Sequence, residues 1–106
     1  MMTTEVERKT ALLLRALDSE LRRELIKIAH EEGALDADGY YNEIVKKGFD
    51  IKYKESVYKE LQLLVESELL EKYYDVKSKK IRYKLIVSKV IIDIRSMESY
   101  MMQEDK

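Results

Sequence analysis

Two lysine-rich stretches hold the side chains of this sequence that are best suited to chemistry. Residues 46–59 contain five basic residues against two acids, and residues 72–84 contain six basic residues against one acid. Lysine and arginine neutralise phosphate groups and release counterions, so this composition favours contact with a nucleic-acid backbone. The formal net charge of −1 argues mildly against such a partner. Because the acids concentrate near the two ends of the chain, a near-neutral protein can still present one basic face.

Catalytic and metal-binding side chains are scarce. The sequence has no cysteine, and its one histidine, His30, lies near a predicted helix end, where a solvated or capping role is favoured over metal binding. Asp36 and Asp38 have the spacing of paired carboxylates, but helix capping explains them better. The sequence also lacks a glycine-rich phosphate loop. We therefore expect no enzymatic activity, no cofactor and no metal.

Length and composition are those of a small globular protein. The 106 residues predict a single domain over residues 1–106, and the apolar and charged fractions of 45% and 39% exclude a disordered chain. No apolar run reaches the roughly 18 residues of a membrane-spanning helix, and the first residues lack the features of a signal peptide. The expected location is the cytoplasm, without a membrane partner.

Two helices are predicted in residues 4–32. Thr4 and Glu7 have capping-box spacing at the start of the first helix. Asp18 can cap the second helix, whose apolar positions repeat at helical spacing until Gly33 ends it. The second half of the first helix is apolar on more than one side, which predicts either burial on two faces or contact with a partner chain.

A helix-turn-helix is predicted in residues 36–67. Asp36 can cap the third helix, and Gly48 ends it. A fourth helix follows from about Lys54 to Ser67. Its apolar residues repeat at i, i+4, i+7 and i+8, and they are Val57, Leu61, Leu64 and Val65.

The periodicity changes to strand-like alternation in residues 70–86. Strands at 70–74 and 80–86, joined by a polar loop at 75–79, predict a two-stranded β-hairpin. Residues 88–101 are predicted to form a closing helix, because their apolar residues follow helical spacing. The β-branched run at 90–92 weighs against that helix. The predicted fold is mainly α with a small β-hairpin, a winged helix-turn-helix in the order α-α-α-α-β-β-α.

The two lysine-rich stretches coincide with the fourth helix and the hairpin. In a winged helix, one helix enters the major groove of double-stranded DNA, and the hairpin, or wing, lies along the backbone or minor groove. The sequence therefore predicts DNA contacts from both elements, although Tyr53 could equally be an aromatic at the edge of the core. The predicted contact residues are Lys52, Tyr53, Lys54, Glu55, Ser56, Tyr58, Lys59, Lys77, Lys79, Lys80 and Arg82.

Residues 14–26 and 56–70 resemble ArsR-like winged-helix transcription regulators, most closely those of archaea. The first stretch has a leucine-rich helix before a capped helix with an early arginine, and the second is similar to the recognition helix and its exit into the wing. Residues 81–85 are similar to the second wing strand. The resemblance covers about residues 10–87 and implies transcriptional regulation, a recognition helix at 54–66 and a dimer held by the first and last helices.

This chain departs from the ArsR-like pattern in two ways. It lacks the cysteine ligands of the family's metal sensors, and Glu68 stands where the family has a glycine after the recognition helix. The second departure concerns the geometry with which the chain leaves that helix.

A homodimer is expected because the first and last predicted helices are more apolar than one small chain requires. The predicted dimer interface consists of Leu12, Leu13, Val90, Ile91, Ile94 and Met97. The alternative is a winged-helix module that contacts protein in a multi-subunit complex and does not touch DNA. Binding to DNA would weaken steeply with salt, whereas an apolar protein interface would barely respond.

Overall fold

The computed structural model describes residues 4–103, which form four helices and five strands in a mixed α/β arrangement. In chain order the elements are α1 (Glu5–Leu17), α2 (Glu20–Glu32), β1 (Leu35–Asp36), α3 (Ala37–Lys46), α4 (Lys54–Glu66), β2 (Leu70–Asp75), β3 (Lys80–Leu85), β4 (Val87–Asp93) and β5 (Glu98–Gln103). None of the helices within this range is long and apolar enough to cross a lipid bilayer.

The helix starts follow the capping residues. The Glu7 backbone N–H donates to Thr4 Oγ1 at 3.1 Å, which confirms the predicted start of α1. The cap of α2 is Ser19 and not Asp18, since the Arg22 backbone N–H donates to Ser19 Oγ at 3.2 Å. Asp18 instead ends α1, so the two helices are joined by a very short connection.

Helix α3 begins as predicted at Asp36, whose Oδ1 accepts from the Gly39 backbone N–H at 2.8 Å. A Cβ on Gly39 would lie 3.0 Å from the Cβ of Leu35. The close approach of the chain to this first turn therefore explains a glycine that intrinsic helix propensity disfavours. The segment between α3 and α4 turns through Gly48, which has φ 94°.

The hairpin predicted at 70–86 is present as β2 and β3. These strands pair antiparallel, with Tyr73 opposite Arg82 and Asp75 opposite Lys80. A short strand that the sequence did not predict, β1, pairs with the other edge of β3, with Leu35 opposite Tyr83. The sheet order is thus β1-β3-β2, and the helix-turn-helix begins directly at the end of β1.

The predicted closing helix at 88–101 is wrong, because strands β4 and β5 form a second antiparallel hairpin there. The β-branched run at 90–92 prefers an extended backbone, and this preference outweighs the helical spacing. The turn is built by Asp93, whose Oδ1 accepts from the Arg95 backbone N–H at 2.9 Å, and by Met97 at φ 59°. The observed order therefore ends in two hairpins, not in a hairpin and a helix.

One hydrophobic core joins all four helices to the β2–β3 hairpin. Tyr40 of α3 and Tyr83 of β3 are both almost fully buried, and their rings meet edge to face at 6.3 Å. The Tyr40 hydroxyl donates to the Tyr83 backbone carbonyl at 2.8 Å. This contact fixes the hairpin against the helix-turn-helix. The other fully buried large side chains come from every helix and include Leu13, Leu25, Ile28, Ile44, Leu61 and Leu64.

The exit from α4 is made without glycine. Glu68 adopts the left-handed region with φ 67°, a conformation that glycine accepts at lower cost. Its carboxylate lies 2.9 Å from Lys9 Nζ on α1. The chain thus leaves α4 with the geometry that the ArsR-like pattern assigns to a glycine, and the side chain at this position links the turn to the first helix.

Candidate nucleic-acid interface

The start of α4 and the start of β3 converge at the first turn of α3. Lys54, the first residue of α4, places its Nζ 3.2 Å from Asp38 Oδ1. Lys80, the first residue of β3, places its Nζ 3.2 Å from Asp36 Oδ2. Because the two aspartates are only two residues apart, the amino-terminal end of α4 and the tip side of the β2–β3 hairpin are neighbours.

The hairpin also runs alongside α4. Lys72 Nζ on β2 lies 3.4 Å from Gln62 Oε1 in the second half of α4. The Tyr83 pKa is raised first by burial and then by the neighbouring Tyr58 hydroxyl, which places Tyr58 of α4 against β3. Both strands of the β2–β3 hairpin therefore have a side chain in contact with α4.

Four of the predicted contact lysines are exposed and form no ion pair within residues 4–103. We call them the four unpaired lysines: Lys52, Lys59, Lys77 and Lys79. Two belong to α4 or the segment before it, and two belong to the hairpin tip. Lys52 Nζ lies 5.9 Å from the centre of the Tyr53 ring, a contact that leaves its charge free for an anion.

The other three predicted contact cations are already engaged with acids of the chain. Lys54 and Lys80 bind the aspartates of α3, as described above. Arg82 donates from Nε to Asp75 Oδ2 at 2.8 Å and from a terminal nitrogen to the Ala34 carbonyl at 2.9 Å. Arg82 therefore ties the hairpin to the segment before β1, a structural role that the sequence did not reveal.

These acids are held in their charged form by the same contacts. Hydrogen bonds from Ser78 and Arg82 lower the pKa of Asp75 below its ordinary value. Burial acts to raise the pKa of Asp36, but the Gly39 N–H and the ammonium of Lys80 outweigh it and the net shift is downward. Both carboxylates therefore stay ionised and offset part of the positive charge at this junction.

The remaining predicted contact residues are at the surface. Tyr53 is 61% exposed, so it is not an aromatic of the core edge, and Glu55 and Ser56 are also exposed. Tyr58 is 47% exposed and rests against Tyr83, so one side of its ring packs while the other faces solvent. All four positions lie in the first half of α4 or just before it.

Three exposed apolar side chains of the β2–β3 hairpin were missed as site residues. Val76 at the tip is 75% exposed, and the cross-strand pair Tyr74 and Ile81 is 58% and 46% exposed. Strand alternation could have placed Tyr74 on an outward face. Its exposure depends on how far the hairpin extends beyond α4, which the sequence does not specify.

The predicted dimer residues divide between the core and the surface. Leu13 is fully buried in the core of the chain, so its assignment to an interface is wrong. Leu12 and Val90 are half-buried, whereas Ile91, Ile94 and Met97 are exposed on the β4–β5 hairpin. Tyr100 and Met102 on β5 are exposed as well, and the sequence analysis missed them because it placed this segment in a helix.

The geometry is that of a helix pair with a two-stranded ribbon beside its second helix, and solved regulator structures share this fold. A zinc-bound manganese uptake regulator matches with a TM-score of 0.60 and 18% identity, covering 91% of this chain and 76% of that one. A ferric uptake regulator from Pseudomonas aeruginosa with manganese matches with a TM-score of 0.57 and 13% identity, covering 91% and 75%. No model of a protein family and no curated protein sequence matches this chain. The likeness at this identity is one of fold, and it does not support the specific ArsR-like or archaeal resemblance.

The expectation that no metal is involved is contradicted by these comparisons. The two similar structures are of a zinc-bound regulator and of a regulator with manganese. Within residues 4–103 of this chain, however, no group of three or more histidine, aspartate or glutamate side chains is placed to hold a metal ion. The described residues therefore do not fit a metal site of that kind, and no step of the proposed function is assigned to a metal.

Proposed function

We propose that this protein is a winged helix-turn-helix transcription regulator that binds double-stranded DNA sequence-specifically as a homodimer. The observation that carries the proposal is the junction described above, where Lys54 at the start of α4 and Lys80 at the start of β3 meet on α3, on the two elements that carry or adjoin the four unpaired lysines. Lysines at separate elements on one side of a protein can neutralise phosphates on both sides of a groove.

Helix α4 is the proposed recognition helix. Tyr53, Ser56 and Lys59 are exposed near its start and can donate hydrogen bonds to phosphates or base edges, while Glu55 can accept from the amino group of cytosine. The hairpin is the proposed wing, and its two unpaired lysines reach the adjacent backbone. A homodimer of such domains would recognise two half-sites related by two-fold symmetry and separated by about one helical turn.

The rival function is a protein-interaction module of the same fold. One observation favours it: α4 carries Lys54 and Lys59 against three glutamates, so its own charge is negative. One of those glutamates, Glu60, is neutralised by Arg22 at 2.5 Å. The net positive potential of the proposed interface therefore depends on residues outside α4, mainly on the hairpin tip.

Duplex binding measured over a series of salt concentrations separates the two functions. Binding of a mixed-sequence duplex through about four phosphates should weaken with a slope of roughly −3.6 in log affinity against log salt. Fluorescence anisotropy with a labelled duplex between about 0.05 and 0.3 M salt measures this slope. Absence of duplex binding at the lowest salt would reject the DNA function and favour the protein-interaction module.

Replacing Asp38 with asparagine is expected to strengthen duplex binding. Asp38 occupies Lys54 in an exposed ion pair, and the variant releases that ammonium for a phosphate. One additional phosphate contact corresponds to a gain of up to about eightfold in affinity near 0.1 M salt. Glu7→Gln is the matched control, since it removes the same charge from the exposed start of α1. Equal gains in the two variants would mean that Asp38 acts only through the net charge of the protein.

A further inference from the structure

The outward face of the β4–β5 hairpin carries several exposed apolar side chains. Ile91 and Tyr100 lie directly opposite each other on this face and are 55% and 50% exposed. Met102, which pairs with Lys89, is 48% exposed, and Ile94 at the turn is 72% exposed. Contiguous apolar patches of this kind mark interaction sites in soluble proteins.

The opposite face of the same hairpin is already used by the core of the chain. Val90 and Met101 form a cross-strand pair that packs on the hydrophobic core, and β5 lies against α1. Side chains alternate between the two faces of a strand. The core therefore holds one face of the hairpin in place and leaves the other, with Ile91 and Tyr100, uncovered by residues 4–103.

Charge is distributed along this uncovered face with opposite signs at its two ends. Lys89 lies at the end nearest the core sheet, two residues before Ile91. Asp93 and Glu98 form the cross-strand pair at the turn end, two residues beyond the Ile91–Tyr100 pair. Asp93 is held by Arg95 at 3.1 Å, whereas the Glu98 carboxylate interacts with the hydroxyl of Tyr100 on the same face and keeps its negative charge there. The face is thus basic, apolar and acidic in succession.

We infer that a second copy of this chain covers the face in antiparallel orientation, with the Ile91–Tyr100 pair at the two-fold axis. A two-fold axis across the strands places the basic end of each copy opposite the acidic end of the other, so Lys89 of each copy lies opposite the Asp93–Glu98 pair of the second copy. A face with the same sign of charge at both ends would not be self-complementary in this way. The inference rests on the homodimer of the proposed function and adds the surface, the orientation and the pairing residues.

Cysteine cross-linking tests the position of the axis. The sequence contains no cysteine, so Ile91→Cys introduces a single thiol, and Tyr100→Cys provides a second, independent position. A short bismaleimide cross-linker should join the two copies of each variant in high yield, because thiols on facing sheets about 10 Å apart at a two-fold axis lie within its span. Val76→Cys is the control, since Val76 is 75% exposed at the tip of the other hairpin and should stay monomeric. Cross-linking of both hairpin variants no faster than of the control would overturn the inference.

Charge exchange tests the orientation. Lys89→Glu and Glu98→Lys should each raise the dimer dissociation constant at least about tenfold, because each places like charges opposite one another. The double variant should return it close to the original value, a rescue that a merely misfolded variant would not show. Sedimentation velocity without DNA measures all three proteins. A monomeric parent protein, or a double variant as weak as the single ones, would contradict the inference, whereas a dimer that fails to bind duplex would contradict only the DNA function.

Discussion

Replacing the four unpaired lysines together with glutamine should weaken duplex binding on the order of a thousandfold near 0.1 M salt. Each side chain is exposed and forms no ion pair within residues 4–103, so each ammonium is free to release a counterion from DNA. The slope of log affinity against log salt should fall by about 0.9 for every lysine that contacts a phosphate. Fluorescence anisotropy over a salt series measures both quantities in one experiment.

Variants with two substitutions each separate the helix from the hairpin. Lys52→Gln with Lys59→Gln removes the unpaired lysines of α4 and of the segment before it, and Lys77→Gln with Lys79→Gln removes those of the tip. The control replaces Lys9 and Lys27 of α1 and α2, which changes the net charge equally outside the proposed interface. Circular dichroism of the control checks that loss of the Lys9–Glu68 ion pair leaves the fold intact. If the control lowers affinity and slope as much as the other two variants, binding depends on overall charge and the proposed interface is misplaced.

Replacing Tyr40 with alanine should destabilise the fold by about 3–5 kcal/mol, the range observed when large aromatic side chains are removed from a core. Tyr40 is fully buried and contacts Tyr83 through both its ring and its hydroxyl. Tyr40→Phe keeps the ring and leaves the Tyr83 carbonyl without its donor, so it should cost about 1–2 kcal/mol. Urea unfolding followed by circular dichroism measures the free energies, and a cost below 1 kcal/mol for the alanine variant would show that α3 does not depend on this contact.

The same tyrosine predicts a loss of stability in alkali. Burial raises the pKa of Tyr40 well above its ordinary value of about 10, and it also raises the pKa of Tyr83. Above about pH 10 the unfolded chain releases protons that the folded chain keeps, so the free energy of unfolding decreases as pH rises, by up to about 1.4 kcal/mol per pH unit for one tyrosine. The slope should be smaller in Tyr40→Phe, and equal slopes in the two proteins would contradict this assignment.

The predictions for duplex binding and for stability depend on the same contact, the one between the β2–β3 hairpin and the helix-turn-helix. Tyr40 and Tyr83 fix the hairpin against α3, and Arg82 links the tip side of the hairpin to Asp75 and Ala34. The positions of the unpaired lysines follow from that arrangement, since two of them lie on the hairpin tip. A variant that loosens the core contact should therefore also weaken the proposed binding without changing any charge.

Local sequence determined the elements whose signals lie within a few residues of one another. The caps at Thr4 and Asp36 and the apolar stripe of α4 define helices by contacts between residues three or four apart. The alternation in 70–86 similarly indicated the β2–β3 hairpin. The placement of the lysine-rich stretches on α4 and on this hairpin could therefore be predicted before any coordinates were known.

Only the tertiary structure decided the outcome where two local signals competed or where the partner was distant in sequence. Residues 88–101 have both helical spacing and β-branched residues, and packing of Val90 and Met101 on the core selects the strands. Lys54, Lys80 and Arg82 are basic like the unpaired lysines, yet each meets an acid of this chain after folding. Charge type can be read from the sequence, but whether a charge is free for a ligand depends on which oppositely charged groups the fold brings within a few ångströms.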